Sequence, residues 1–121
     1  LCIRDYRAST RHDVRRPLGN KTAVAAVLAL LHEFGLPVDG VGHRLAYGGC
    51  EHEQPACVTT DVMTSLTRLV PFDALHLPAE IAAIHEIETA FPGVPKVACF
   101  DTAFHGRIPM VAQRFALPVE L

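Results

Sequence analysis

An α/β fold, helices layered on a sheet with at least some parallel strands, is predicted for this 121-residue chain. Three observations predict it. Apolar residues recur at helical spacing in three separate segments. Two extended segments lie between them, giving the order helix, strand, helix, helix, strand, helix. The second extended segment ends in four consecutive apolar residues, Val97-Ala98-Cys99-Phe100, the composition of a strand covered on both faces by crossover helices.

The elements follow in order. Leu1 to Gly19 carries five arginines (Arg4, Arg7, Arg11, Arg15, Arg16) against two aspartates. Without interleaved aromatics or a groove motif it reads as a solvated lead-in rather than a nucleic-acid arm. Asn20 is a good N-cap for a first helix with Val24, Val27, Leu28, Leu31 and Phe34 on one side, stopped by Gly35 and Pro37. Val38 to Gly49 reads as strand and loop. Alternation places Val41, His43, Leu45 and Tyr47 on one face, and Gly42, Arg44 and Ala46 on the other. Val62, Leu66 and Leu69 mark a second helix, opened by Thr59-Thr60-Asp61 and ended before Pro71. Pro78 opens a third, with Ile81, Ile84, Ile87 and Phe91 inward, and Pro92-Gly93 closes it. Val94 to Phe100 is the second strand. A last short helix is expected from Pro109 to Ala116, packing Val111 and Phe115.

Composition narrows the function classes. Half the residues are hydrophobic, mean hydropathy is +0.23 and the formal charge is −2. Those values exclude a disordered charged tail, and no global charge points to nucleic acid or anionic lipid. The longest apolar run, Ala23 to Leu31, is too short to span a bilayer. No signal peptide precedes Arg4, and four irregularly spaced cysteines do not make a disulfide framework. A cytoplasmic location is the expectation. The chain begins without Met and reads as an internal piece of something longer.

Candidate chemistry gathers at the carboxyl ends of the two strands, where open α/β sheets bind ligands. Asp101, directly after the apolar strand, either faces a cleft, metal or cation or caps its own turn with Thr102. Arg44, two residues from the small Ala46, suits a short carboxylate, its charge pairing with the head and space remaining for the tail. The plainer alternative is an ordinary surface salt bridge. His76, at the mouth of the third helix, is placed to donate to an anion, or else to a loop carbonyl. Cys50, His52 and Cys57 match zinc spacing only loosely, and Cys99 reads as a small buried hydrophobe.

Three patches together resemble the acetate/propionate kinase family. Val41-Gly42-His43-Arg44-Leu45-Ala46-Tyr47-Gly48-Gly49 is similar to the family's G-H-R-x-x-H-G-G segment. Leu75-His76-Leu77-Pro78 is similar to P-L-H-N-P at a helix start. Phe100-Asp101-Thr102-Ala103-Phe104-His105, followed by Ile108-Pro109, is the most specific. The likeness runs from about Asn20 to Pro118.

That resemblance implies an actin-like, ribonuclease H-like kinase domain with a mixed sheet and flanking helices, of the sugar kinase/actin/Hsp70 superfamily. It implies transfer of the ATP γ-phosphoryl group to acetate or propionate with Mg²⁺, and a homodimer. Arg44 then matches the arginine that holds the carboxylate, Asp101 the catalytic aspartate, and His76 a residue lining the phosphoryl region. Ala46 and Leu75 fall in the acyl-binding segments. Tyr47 replaces the family's usual His, Leu77 its Asn and Ala46 its frequent Val. The smaller Ala46 leaves room for roughly one or two methylenes, each worth about 0.8 kcal/mol when buried, so propionate is expected to be accepted at least as well as acetate. The family's nucleotide-binding segments have no counterpart here, and no G-x-x-x-x-G-K-[ST] loop replaces them. Residues 20–121 are therefore expected to form the acceptor-side part of such a kinase, inactive alone, behind a lead-in of residues 1–19. The alternative is a non-catalytic binding or assembly domain derived from the same family.

Overall fold

A computed structural model describes residues 2–5, 10–13, 22–106, 108–113 and 116–117. Within the arginine-rich lead-in, β1 (Cys2–Asp5) and β2 (Thr10–Asp13) pair antiparallel in the register Cys2↔Asp13. The segment read as a solvated lead-in thus contains a pair of antiparallel strands, whose apolar content is too low for alternation to announce them.

α1 (Ala23–Glu33) starts two residues later than Asn20 suggested: Thr22 is its N-cap, and the Thr22 hydroxyl accepts the Ala25 N–H at 3.1 Å. Asn20 itself lies outside the described residues. Gly35 ends the helix with φ +60, a conformation that favours glycine. The predicted stripe is half-buried and the one fully buried residue is Leu30, which lies off it. The helix is apolar nearly all round, so periodicity could not choose its inward side.

β3 (Val41–Leu45) and β5 (Lys96–Phe100) pair in parallel, Val41 opposite Lys96 and Leu45 opposite Phe100. β4 (Ala56–Cys57) joins the other edge of β5 antiparallel, giving the order β3-β5-β4. At two residues β4 is too short to carry a sequence period. α2 (Thr60–Leu69) is capped by the Thr59 hydroxyl and continues into a 3₁₀ turn at Val70–Phe72. α3 (Leu77–Ala90) carries Pro78 in its first turn, where a missing N–H costs nothing.

The core lies between the sheet and α2 and α3. Leu45, Leu66, Leu77, Ile84, Ala98 and Phe100 are buried together; each large aliphatic side chain so buried contributes about 1.5–3 kcal/mol. α1 packs outside this layer, against α3. Lys96 is the buried charge among the described residues. Its Nζ donates to the carbonyls of Phe91 and Val94 at 2.8 Å and pairs with Glu88 at 2.8 Å, so all three protons are used. It ties the end of α3 to the start of β5.

The expectation that β5 is covered on both faces is corrected. Lys96, Ala98 and Phe100 are buried, Val97 is half-buried and Cys99 is exposed. One face of the sheet meets the helices; the other, carrying Gly42, Arg44 and Cys99, stays open among the described residues. Cys99 is thus not a buried hydrophobe. A further helix, α4 (Asp101–His105), follows β5 directly, and α5 (Met110–Gln113) lies within the predicted Pro109–Ala116. Val111 is 85% exposed rather than packed, and Phe115 lies outside the described residues. No helix among the described residues is long and apolar enough to cross a membrane.

Candidate functional site

Parallel pairing of β3 and β5 brings their carboxyl ends side by side, and with them Arg44 and Asp101. Arg44 points from the open face near the end of β3; Asp101 is the first residue of α4, immediately past β5. The Arg44 Nε donates to Asp101 Oδ1 at 2.9 Å and Nη2 donates to Oδ2, a two-bond fork. Asp101 does not cap its own turn; its carboxylate is spent on Arg44. The Asp101 carboxyl is held below the usual carboxylate range, first by hydrogen bonding to the guanidinium; desolvation opposes this, and the charges of Arg44 and His105 add to it. Arg44 is pushed the other way, chiefly by its bond to Asp101 and also by the charges of Asp101 and Glu80.

The pair does not sit in a cleft. The Arg44 side chain is 81% exposed and that of Asp101 41%. Among the described residues Asp101 takes the Nε/Nη2 edge of the guanidinium, which leaves the Nη1 end of the five-donor fork toward solvent. Of the two readings of Arg44, the plainer one is seen directly: it makes a surface ion pair, and its Nη1 group takes no partner among the described residues.

Past Arg44 the chain is held by two longer-range bonds. The Ala46 N–H, the first donor beyond the ladder, lies 3.1 and 3.3 Å from the two carboxylate oxygens of Glu80 on α3. The Gly48 N–H donates to the Thr102 hydroxyl at 3.0 Å. Positions 44, 46 and 48 are therefore tied to two other stretches of chain, 44 and 48 to Asp101 and Thr102 at the start of α4 and 46 to Glu80 on α3. Glu80 and Thr102 were missed as partners in the sequence. An acid in a helix's first turn is common, and nothing local points to an amide 34 positions away.

The glycine pair is demanded by space. A Cβ on Gly48 would fall 2.8 Å from the Phe100 ring, and Gly49 takes φ +62 with a Leu69 methyl 2.9 Å from its would-be Cβ. Phe100 is fixed in turn by His52, whose ring stacks on it at 4.8 Å between centroids and 10° between planes. His52 Nε2 also meets the Ser65 hydroxyl at 2.5 Å. His52 is a packing residue, and no group of three His, Cys, Asp or Glu able to hold a metal is found among the described residues.

His76 and Leu75 lie apart from the ion pair. His76 is the N-cap residue of α3, exposed, its backbone N–H on Asp73 Oδ1 at 3.2 Å and its side chain making no capping bond. It stands one turn before Glu80, on the same side of the helix, and bonds to neither Arg44 nor Asp101. Leu75 is 82% exposed. His43, on the covered face, has a buried Nε2 with no hydrogen-bond partner among the described residues; burial first, and the Lys96 charge second, lower its pKa, so the neutral form predominates at pH 7.

The unit is thus a layered α/β arrangement with an exposed guanidinium and carboxylate at the carboxyl ends of adjacent parallel strands, the end at which open α/β sheets bind ligands. The comparisons make this specific. The Acetokinase family model matches residues 11–121, and the chain belongs to that family. It is 41% identical over 117 residues to an acetate kinase of Rhodopseudomonas palustris (strain ATCC BAA-98 / CGA009), covering 93% of this chain and 29% of that protein. The crystal structure of Porphyromonas gingivalis acetate kinase matches with TM-score 0.71 and 29% identity, over 93% of this chain and 30% of that one. A propionate kinase from Francisella tularensis subsp. tularensis SCHU S4 matches in fold with TM-score 0.76 at 23% identity, over 98% of this chain and 38% of that one. The fold is therefore the actin-like α/β fold of these kinases, and the chain spans less than a third of the length of the curated relative it matches.

Proposed function

We propose that residues 20–121 are the acceptor-side part of a carboxylate kinase, with residues 1–19 a lead-in. The enzyme they belong to transfers the γ-phosphoryl group of ATP to acetate or propionate. The observation that carries this reading is the guanidinium of Arg44, fixed along one edge by Asp101 and without a partner at its other end among the described residues.

The chemistry follows from that fork. A short carboxylate docks on the remaining Arg44 donors, which offsets its repulsion from an anionic phosphoryl donor. One carboxylate oxygen attacks the γ-phosphorus, the bond to the ADP oxygen breaks, and acyl phosphate and ADP result. The acceptor has no proton to lose at neutral pH, so Asp101 serves as an orienting charge rather than a base. His76, at the positive end of α3, is the donor toward the phosphoryl oxygens. Ala46 and Leu75 border the alkyl tail, and the small Ala46 admits propionate.

Mg²⁺ and ATP are the cofactors this family membership suggests. The described residues do not fit a Mg²⁺ site: no three-ligand cluster exists and both Asp101 oxygens are engaged by Arg44. ATP and Mg²⁺ are held mainly by parts of the family's fold that this chain does not include. The complete enzyme is proposed to be a cytoplasmic homodimer.

The test is acyl phosphate formation, trapped with hydroxylamine, by the protein expressed from the complete coding region. Turnover with acetate and propionate that is lost in Arg44→Ala supports the proposal. A coding region that starts and stops at residues 1 and 121, giving a protein that binds carboxylate without turnover, supports the non-catalytic alternative instead.

A further inference from the structure

From the bonds that hold the end of β3, we infer that Glu80 is a positioning residue that sets carboxylate affinity and the choice between acetate and propionate. The inference rests on the carboxylate-kinase reading above. Ala46 is where two requirements meet: its methyl borders the space for the acceptor's tail, and it lies two residues from the guanidinium that takes the head. Its backbone has left the ladder, which ends at Leu45↔Phe100. Without a partner, the Ala46 amide would be a half-buried donor beside the fully buried Leu45, free to swing toward water.

Glu80 removes that freedom. Its carboxylate lies 3.1 and 3.3 Å from the one N–H, so a modest rotation of the carboxylate does not lose the bond. The stem of Glu80 is anchored on α3 between two core positions, Leu77 and Ile84, both buried. The position of Ala46 is thereby referred to a helix anchored in the core by two buried residues. On the far side, Gly48 is referred to α4 through Thr102. The intervening Tyr47 packs against the core. Arg44 and Ala46 consequently keep a fixed separation, and that separation decides how long a tail fits while the head stays on the fork.

A carboxylate in the first turn of a helix is often there for the helix alone, favourable to its dipole. The two roles differ in what they move. A helix role changes thermal stability and nothing else; a positioning role changes the acceptor's KM and the acetate-to-propionate ratio.

Steady-state kinetics of the protein from the complete coding region, with acetate and propionate varied separately, test this in wild type, Glu80→Ala, Glu80→Gln and Arg44→Ala. Amide hydrogen exchange at Ala46 is measured alongside. The expected result is a five- to tenfold rise in carboxylate KM for Glu80→Ala, with kcat and the KM for ATP within twofold of wild type. The acetate-to-propionate ratio of kcat/KM should also move at least threefold, and the Ala46 amide should exchange faster. Glu80→Gln keeps an acceptor oxygen and should restore all of these to within twofold. Arg44→Ala activity lost while Glu80→Ala keeps wild-type KM and selectivity overturns the role of Glu80 alone. Activity that survives Arg44→Ala overturns the underlying reading and this inference with it. Should Glu80→Ala not fold, Glu80→Gln with unprotected Ala46 exchange and unchanged kinetics is the contradicting result.

Discussion

The two faces of the three-stranded sheet are built from alternate residues of the same strands, yet they share almost nothing. On the helix side, Leu45, Ala98 and Phe100 are buried against Leu66, Leu77 and Ile84. On the open side, Arg44 and Cys99 lie exposed in register with one another. A single-residue step along β3 passes from a side chain with no solvent exposure to one that is 81% exposed. Stability and chemistry are thus separated by strand parity, and register is what keeps them apart. The two sides meet only at the strand ends, where Glu80, Thr102 and the glycine pair tie the loop to the core.

That separation can be broken from the packed side first. Leu45→Ala removes a fully buried side chain at the centre of the core and should lower stability by about 2–5 kcal/mol, measured by urea unfolding. Gly48→Ala acts where the sides meet. Its methyl would be driven into the Phe100 ring, so a loss of about 1–3 kcal/mol is expected. That variant should also weaken carboxylate binding, because Phe100 precedes Asp101.

The covered face carries a pH dependence. His43 has a lowered pKa in the fold, so the unfolded chain binds the proton more readily. Its contribution to stability is complete above the ordinary imidazole value of about 6.5 and falls as pH drops below it. Unfolding midpoints between pH 8 and 5 should decline less steeply in His43→Leu than in wild type. The open face responds in the same direction, at lower pH. Asp101 has a lowered carboxyl pKa, so its pair with Arg44 is intact above the ordinary aspartate range and is lost only as pH falls through the lowered value. A ¹³C titration of the Asp101 carboxyl should show its midpoint moving up in Arg44→Ala. The smallest expected effect on stability belongs to Arg44→Ala itself, since exposed pairs of this kind contribute little; its unfolding midpoint should match wild type.

Legibility in the sequence followed the same division. The Val41/His43/Leu45 alternation and the Ile81/Ile84/Ile87 spacing located β3 and α3, because each has one covered side that leaves a period. α1 was found but its buried residue was not, since a helix apolar on all sides has no preferred face. Cys99 was misplaced because an apolar letter cannot report that no helix covers its side of β5. At the site, Arg44 and Asp101 were readable from their places at strand ends and from the motifs around them. Their direct contact required the parallel pairing of two strands more than 50 residues apart in sequence, as their bonds show. The Glu80–Ala46 clamp left no trace, because its donor is a backbone amide with no residue type to recognise.

The most direct test follows the side-chain Nε–H of Arg44 and the amides of Ala46 and Gly48 by ¹H–¹⁵N NMR as propionate is added to the 121-residue chain. Saturable shifts at these three positions, absent in Arg44→Ala although that variant remains folded, are the predicted result. Shifts that persist unchanged in Arg44→Ala, or none at Arg44 in the wild-type chain, would contradict the assignment of Arg44 as the anchor of the acceptor carboxylate.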